Sequence, residues 1–178
     1  MDTAKFKALE ELKLTKEEAM EWIEHLWNCQ IIKTPIALVY KRKDSFAEAY
    51  PYLDKSRKNE VIGLFINNKV WALTGQQENV MFYDIHDDKK SRLPSVSDLK
   101  DVNLHLDAIR STIATLKENG IDVEDFFDCG TYWTKQYYAI KNQTTVKVYS
   151  LVAAQEYEID PSRGKVAHVR ECYPFYSF

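Results

Sequence analysis

The 178-residue sequence predicts a single α+β unit, with helices in the first two-thirds of the chain and mostly strands after them. Three observations predict this fold class. Apolar residues recur at helical spacing in two segments, strand-like segments concentrate after residue 130, and 45% of the residues are hydrophobic, which is enough for one core. Because these strands follow one another without intervening helices, the predicted sheet is antiparallel.

The first predicted helix covers residues 16–29. Thr15 and Glu18 have the spacing of a capping box, in which each side chain hydrogen-bonds to the other residue's backbone amide. A weaker helix is predicted before it, over residues 3–12. We therefore expect residues 1–59 to be a helical N-terminal extension. The apolar stripe of the first helix consists of Ala19, Met20, Ile23, Leu26 and Trp27.

A buried strand is predicted over residues 36–40, and a β-hairpin follows it further along the chain. The two strands of the hairpin cover residues 61–66 and 70–73. They flank Asn67-Asn68-Lys69, and asparagine tolerates the left-handed backbone conformation that a tight turn requires.

Two other segments in this part of the chain are predicted without strands. Residues 44–50 are predicted to form one or two helical turns that end before Pro51. Residues 75–91 are predicted to form a polar loop, interrupted by an apolar island at residues 80–83.

A second helical region is predicted after residue 94. Ser95 can cap it, and Asp98 places negative charge near the positive end of the helix dipole. A break near residues 103–105 divides the region into a short and a longer helix, and Asn119-Gly120 supplies the usual left-handed stop. Its apolar stripe consists of Leu99, Val102, Leu106, Ile109, Ile113 and Leu116.

Strands are predicted to dominate after Gly130. Residues 141–144 and 160–164 have the composition of turns that connect them. We expect residues 60–178 to form the main domain, in one compact unit with the extension. The predicted strands cover residues 131–140, 145–152, 154–159 and 166–173.

Charge and cysteine content exclude several classes of protein. With 24 basic and 27 acidic residues the net charge is -3, so no basic field indicates nucleic-acid binding. Three widely spaced cysteines, Cys29, Cys129 and Cys172, support neither a disulfide framework nor a zinc ribbon.

No signal peptide or membrane-length apolar run is present, which predicts a cytoplasmic protein without membrane contact.

The segment Arg92-Leu93-Pro94-Ser95-Val96-Ser97-Asp98-Leu99 resembles the R-L-P-[ST]-x-x-[ED]-L motif of a bacterial family. That family contains the Lcl C-terminal domain and the major paralogous domains and is related to the C-type-lectin-like fold. The resemblance covers residues 61–178, where further motifs agree in order. These are Gly63-Leu64-Phe65-Ile66, Tyr132-Trp133-Thr134 and Val169-Arg170-Glu171-Cys172-Tyr173-Pro174-Phe175.

The resemblance implies helices packed on a twisted antiparallel sheet, with ligand contacts made from loops and with no catalytic residues. The calcium-coordinating tripeptides of true lectins, E-P-N and W-N-D, are absent from this sequence. Calcium-dependent sugar binding is therefore not expected.

No catalytic or metal-binding constellation is predicted. His168 and Cys172, four residues apart in one predicted strand, would be about 13 Å apart, too far for the imidazole to activate the thiol. His25 and Cys29 lie one helical turn apart, but no second pair of ligands accompanies them. Asp122 is predicted to cap a short helix rather than to bind calcium with its acidic neighbours. We predict no enzymatic activity, no cofactor and no metal. The acidic neighbours are Glu124, Asp125 and Asp128.

Aromatic residues of the last strands, with one arginine, are the candidate binding residues. Trp133 and Tyr137 share one predicted strand face, and Tyr132 and Tyr138 share the other. One face is expected to be core and the other to be open to a ligand, although packing alone is the alternative for most of these rings. The predicted ligand-binding residues are Trp133, Tyr137, Tyr149, Tyr157 and Arg163.

These observations favour a non-catalytic binding module of C-type-lectin-like type, whose partner is a protein or a glycan. Two alternatives stay open. One is a cytoplasmic enzyme or enzyme accessory whose site no motif reveals. The other is a structural protein that forms homo-oligomers through the helix from Thr15 to Cys29.

Overall fold

The computed structural model shows a mixed α+β protein with antiparallel sheets and a few helices. It describes residues 15, 17–18, 20–21, 23–24, 29–32, 35–41, 47–125, 127, 130–140 and 143–175. The helices that it delimits are α1 (Asp87–Lys90), α2 (Val96–Leu104) and α3 (Leu106–Glu118), and the 3-10 helices are Lys55–Glu60, Phe82–Asp84 and Pro161–Arg163. The strands are β1 (Cys29–Ile31), β2 (Ala37–Lys41), β3 (Ala47–Tyr50), β4 (Tyr52–Asp54), β5 (Val61–Ile66), β6 (Lys69–Ala72), β7 (Gln77–Met81), β8 (Thr131–Ile140), β9 (Gln143–Ser150), β10 (Gln155–Ile159), β11 (Val166–Val169) and β12 (Cys172–Pro174).

Most of these strands belong to two five-stranded sheets. Sheet I has the order β10-β9-β8-β11-β7, and sheet II has the order β12-β6-β5-β2-β3. Strands β1 and β4 pair separately. The described pairs are antiparallel except for β8 and β11, which meet in a parallel bridge between Tyr132 and His168.

The main core joins α2 and α3 to sheet II and to one face of sheet I. That face carries Tyr132 and Tyr149, which are register partners, and we call it the back face. Burial of these apolar side chains holds the helices against the sheets, because each square ångström removed from water contributes about 25 cal/mol. The main core includes Leu64, Trp71, Leu99, Val102, Ile109, Ile113 and Leu116.

A second core lies on the opposite face of sheet I, which we call the front face. Trp133 and Val148 are register partners on this face, and both are fully buried. The segment between β7 and α2 covers them with the side chains of Phe82, Ile85 and Leu93. Sheet I is therefore covered on both faces where β8 begins.

The hairpin and the helix start that the sequence predicted are confirmed. Strands β5 and β6 pair through a two-residue turn in which Asn67 and Asn68 have φ values of 44° and 62°. Ser95 caps α2, with a hydrogen bond of 3.1 Å from the Asp98 amide to its hydroxyl, and the Asp98 carboxylate accepts from the Ser95 amide at 2.8 Å. The predicted break falls at His105, between α2 and α3.

The predicted N-terminal helices lie largely outside the described residues. Thr15 and Glu18 do make the hydrogen bonds of a capping box, because the Thr15 amide donates to Glu18 (2.8 Å) and the Glu18 amide donates to Thr15 (3.2 Å). The predicted extension of this helix to Cys29 is wrong. Cys29 begins β1, where it is the register partner of Asp54.

A helical character for the whole of residues 1–59 is also wrong. Residues 29–54 contain β1 to β4, and β2 lies between β3 and β5 in sheet II. The cause is long-range pairing, which overrides local helical propensity. Strands from both sides of residue 59 thus share a sheet, and the division of the chain there stays a prediction.

Three further segments differ from the sequence prediction. The described part of residues 44–50 is strand β3 rather than helix, because it pairs with β2. Residues 75–91 contain β7 and α1 rather than only a loop. Residues 166–173 do not form one strand, because the chain leaves sheet I after β11 and joins sheet II as β12.

Candidate functional site

The five predicted ligand-binding residues lie in two different environments. Trp133 is buried in the front core, where its indole Nε1 donates to a backbone carbonyl of β7 at 2.7 Å. Tyr149 is buried in the main core. Tyr137, Tyr157 and Arg163 are exposed. Trp133 and Tyr149 are core residues in this structure because both faces of sheet I are covered at their level.

The structure brings Tyr137 and Tyr157 to the same face of sheet I. Tyr137 is the register partner of Val146, and Tyr157 is the register partner of Val148. Both valines belong to the front core. Arg163 follows β10 in the 3-10 helix Pro161–Arg163, where its Nε lies 3.4 Å from a carboxylate oxygen of Asp160.

Tyr137 belongs to a continuous group of aromatic rings. The Phe82 ring centroid lies 5.8 Å from that of Tyr137, 6.2 Å from that of Tyr83 and 5.4 Å from that of Trp133. Phe82 is buried, whereas Tyr83 and Tyr137 are 55% and 56% exposed. The Lys90 ammonium lies 5.4 Å from the Phe82 centroid, within cation–π range. We call Phe82, Tyr83, Tyr137 and Lys90 the front aromatic patch.

An irregularity in β8 accompanies the exposure of Tyr137. From Trp133 to Tyr137, β8 advances four residues while β9 advances only two. The Thr134 hydroxyl donates to the Lys147 carbonyl oxygen at 2.7 Å and holds the extra residues against β9. Bulged strands bend and twist, and residues 135–139 are all exposed.

The segment that carries the family resemblance connects three parts of the fold. The Arg92 carbonyl oxygen accepts from the Cys172 amide (2.9 Å), and the Pro94 carbonyl oxygen accepts from the Lys135 amide (3.0 Å). Leu93 is buried in the front core, and the next serine after Pro94 caps α2. Packing and capping therefore account for the residue types of this motif.

The structure does not bring the predicted thiol and imidazole groups together. His168 lies in β11 of sheet I and Cys172 in β12 of sheet II, and burial raises the pKa of the Cys172 thiol to about 12. Cys29 lies in β1, while His25 and Cys129 are outside the described residues. Across the described part of the chain, no three His, Cys, Asp or Glu side chains form a group that could hold a metal ion.

The acidic segment after α3 is not the capped helix that the sequence predicted. Residues 121–125 have no helical backbone, because the Glu124 amide donates to the Leu73 carbonyl oxygen at 3.0 Å and ties this segment to the end of sheet II. Asp125 pairs with Lys117 at 2.5 Å.

Glu124 is the centre of a polar cluster. One carboxylate oxygen lies 3.0 Å from a guanidinium nitrogen of Arg170 and 2.8 Å from the Gln76 amide, and the other lies 3.0 Å from the Gly75 amide. Arg170 also donates to the Ala72 carbonyl oxygen. The side chain of Arg170 is 1% exposed and that of Glu124 is 41% exposed. A carboxylate at the surface is thus held by two amides and a buried guanidinium.

Phe127 is fully buried in the main core, and Tyr132 and Gln76 connect it to the Glu124 cluster. Its ring centroid is 5.0 Å from that of Trp71 and 5.7 Å from that of Tyr132. Its amide donates to the Tyr132 hydroxyl at 3.2 Å, and that hydroxyl donates to Gln76 at 3.1 Å. Phe127 has a φ of 64°, a left-handed conformation that is rare for a bulky residue.

Opposing effects set the protonation of the ion pair. Burial raises the pKa of Glu124, but the hydrogen bonds from Gly75 and Gln76 and the charge of Arg170 outweigh it, so this pKa is lowered. Burial lowers the pKa of the Arg170 guanidinium, and Glu124 only partly opposes the change. Glu124 therefore stays ionised, as the counter-charge that a buried guanidinium needs.

Sequence reasoning missed Phe82, Tyr83 and the pair of Glu124 with Arg170. The apolar island at residues 80–83 was the signal for the first two, because an apolar run inside a polar segment must pack somewhere. A single arginine within the apolar C-terminal strand region was the signal for Arg170, since buried arginines are almost always paired. Neither signal identifies the partner.

A groove of about 160 Å³ lies between β1 and α3. Ile31, at its edge, is 77% exposed. The described residues that line the groove offer aliphatic and hydroxyl groups but no acid or base. Its lining residues are Ile31, Ile32, Ser111, Thr112 and Thr115.

No protein-family model, curated protein or solved structure matches this chain. The structure itself therefore defines the class of this protein. It is a mixed α+β protein with an exposed aromatic patch at the edge of a buried sheet face. No helix within the described residues is both long and apolar enough to cross a membrane. The resemblance to the Lcl C-terminal domain family and the cytoplasmic location stay predictions.

Proposed function

We propose that this protein is a non-catalytic binding module of C-type-lectin-like type that contacts a protein or a glycan through the front aromatic patch. The observation that carries the proposal is the exposure of Tyr83 and Tyr137, whose rings both contact the buried Phe82. Tyr157 and Arg163 extend the proposed surface along sheet I.

The patch has the physical properties of a binding hot spot. Tyrosine combines an apolar ring with a hydrogen-bonding hydroxyl and is enriched at interfaces. Contact with Phe82 limits the freedom of Tyr83 and Tyr137 before any ligand arrives, which reduces the entropy that binding must overcome. Lys90, paired with Asp87 at 2.9 Å, adds a charge at the border of the rings.

The test uses two defined ligand sources, a phage-displayed library of random peptides and a panel of soluble oligosaccharides. Ligands selected on the wild-type chain are measured by calorimetry against the Tyr83→Ala/Tyr137→Ala variant. Loss of two hot-spot rings is expected to weaken binding about 30-fold or more, the equivalent of about 2 kcal/mol. Tyr138→Ala is the matched control, because Tyr138 is 39% exposed but lies on the opposite strand face.

Single variants then test the extended surface. Tyr157→Ala and Arg163→Ala are each expected to weaken the same ligand more than Tyr138→Ala does. The proposal is refuted if neither source yields a ligand, or if the selected ligands bind the double variant as tightly as the wild type.

A further inference from the structure

The second half of β8 lies at an open edge of sheet I. Strand β11 meets β8 at Tyr132, near its start, and then leaves for sheet II. On the same side, the Pro94 carbonyl oxygen accepts from the Lys135 amide at 3.0 Å. Beyond Lys135, no backbone group of the described residues hydrogen-bonds to this side of β8. We call residues 136–140 the open edge of β8.

The pairing with β9 determines which backbone groups the open edge offers. The two strands pair regularly from Tyr137 to Ile140, and Ile140 is the register partner of Gln143. Across a two-residue hairpin connection, the residues that flank the turn exchange hydrogen bonds with each other, and the next pair does not. Ala139 and Tyr137 therefore direct their amide and carbonyl groups away from β9, as the Lys135 amide is directed toward Pro94.

The described outer strands of the two sheets carry residues that discourage pairing with another strand. Acidic side chains and proline have this effect, because they repel a like-charged strand or lack an amide hydrogen. These residues are Glu156 and Glu158 in β10, Glu78 in β7, Glu48 in β3 and Pro174 in β12. The open edge of β8 has the sequence Gln-Tyr-Tyr-Ala-Ile, which contains no charge and no proline. It therefore lacks the protection that the other edges have.

We propose that the open edge of β8 pairs with the same edge of a second copy of this chain. A two-fold axis perpendicular to the sheet makes the two strands antiparallel and joins both copies of sheet I in one continuous sheet. With the axis at Tyr138, this residue lies opposite its own copy, and Tyr137 lies opposite Ala139 of the second copy. Four backbone hydrogen bonds can then form between Tyr137 and Ala139 of the two copies, about the number expected for five paired residues.

Charge selects β8 over the opposite edge of sheet I for this contact. Within the open edge, no charged residue lies opposite another in the two-fold arrangement. The same arrangement of β10 about Tyr157 places Glu156 of each copy opposite Glu158 of the other, and like charges directly opposite each other destabilise a strand pair. The open edge of β8 is complementary to itself, whereas β10 is not.

The dimer leaves the front aromatic patch at the surface. The contact uses the backbone of Tyr137, and the side chain opposite the Tyr137 ring is the small one of Ala139. Because the axis is perpendicular to the sheet, the front aromatic patches of both copies face the same side. A ligand with two binding epitopes can therefore contact both patches. The dimer itself does not depend on whether the patch binds a ligand.

Sedimentation velocity of the full chain between about 1 and 100 μM tests the proposal. We expect a species of twice the chain mass, whose share rises with concentration. Ala139→Pro removes an amide from the open edge, and Ala139→Lys places a charge there. Each substitution is expected to raise the Kd of the dimer at least about tenfold.

Thr144→Lys is the matched control, because Thr144 is the register partner of Ala139 in β9 and lies away from the open edge. Tyr83→Ala changes the front aromatic patch without changing the edge. Both variants are expected to dimerise as the wild type does. Circular dichroism checks each fold, and Ala139→Lys decides if Ala139→Pro does not fold. A wild type that stays monomeric, a folded Ala139→Lys variant with unchanged Kd, or an equal loss of dimer in either control overturns the proposal.

Discussion

Removing Glu124 and removing Arg170, the two partners of an ion pair, are expected to lower the free energy of unfolding by unequal amounts. Arg170 is 1% exposed and Glu124 is 41% exposed. Glu124→Ala leaves a guanidinium charge in a nearly dry environment. Arg170→Met leaves a carboxylate that water and the two amides of residues 75 and 76 still solvate, and methionine fills much of the vacated volume.

The magnitudes follow from this difference in burial. Removing the counter-charge of a buried ion costs about 3–5 kcal/mol. We expect about 3 kcal/mol for Glu124→Ala, because Arg170 keeps its hydrogen bond to the Ala72 carbonyl oxygen. Arg170→Met leaves no charge buried, because the remaining Glu124 carboxylate is 41% exposed and keeps its two amide hydrogen bonds, so we expect this substitution to cost about 0–2 kcal/mol.

Urea unfolding at neutral pH measures both values, provided that circular dichroism and fluorescence give coincident transitions. The double variant is expected to be more stable than Glu124→Ala alone, because it no longer contains the isolated guanidinium of Arg170. The reasoning is refuted if Arg170→Met costs as much as Glu124→Ala, or if the two costs simply add.

The same pair makes stability depend on pH. The pKa of Glu124 is lowered from 4.5 in the folded state, as described above. A carboxyl group with a depressed folded pKa contributes stability that is present above its unfolded pKa and is lost as the pH falls through the folded value. The stability difference between wild type and Glu124→Gln should therefore be largest above about pH 5 and shrink below it. A difference that does not change with pH would contradict this.

Three substitutions elsewhere test local features, each by urea unfolding. Ala154→Gly should stabilise the protein by about 0.5–1 kcal/mol, because Ala154 has a φ of 51°, a left-handed conformation that glycine adopts without strain. The neighbouring control Ala153→Gly should destabilise the protein. Equal effects of the two substitutions would contradict backbone strain at Ala154. Ser95→Ala should lower the free energy of unfolding by about 1 kcal/mol, because it removes the cap of α2, and Ser95→Asn should keep most of that stability. An unchanged urea midpoint for the alanine variant would show that the cap does not stabilise the protein. Gly63→Ala places a Cβ 2.8 Å from the Trp71 carbonyl oxygen and should cost about 1–3 kcal/mol; a neutral result would show that β5 and β6 can separate freely.

Features encoded within a few residues could be predicted from the sequence. The capping box of Ser95 and Asp98 and the left-handed turn at Asn67 and Asn68 depend on contacts between near neighbours. Such contacts require particular residue types at fixed offsets, so the pattern alone predicts them. The alternation along β8 likewise predicted that Trp133 shares a face with Tyr137, and both rings contact Phe82.

Features that depend on distant partners could not be predicted in this way. Cys29 continues an apparent helix in the sequence but pairs with Asp54 in a strand. Alternation shows which residues share a face of sheet I, but it does not show that separate segments cover both faces. This coverage is the reason that Trp133 lies in the core. Glu124 and Arg170 are 46 residues apart, and nothing near either residue predicts the other.

The adjacent strands β11 and β12 lie in different sheets, and this has a consequence for biosynthesis. Strand β11 is an inner strand of sheet I, and β12 is the edge of sheet II beside β6. During translation, neither sheet can therefore be completed before Val166 and the residues after it have emerged from the ribosome. Until then β8 and β6 present open edges on which other chains can assemble, so translation that stops before Val166 should yield an aggregating product rather than a smaller folded one.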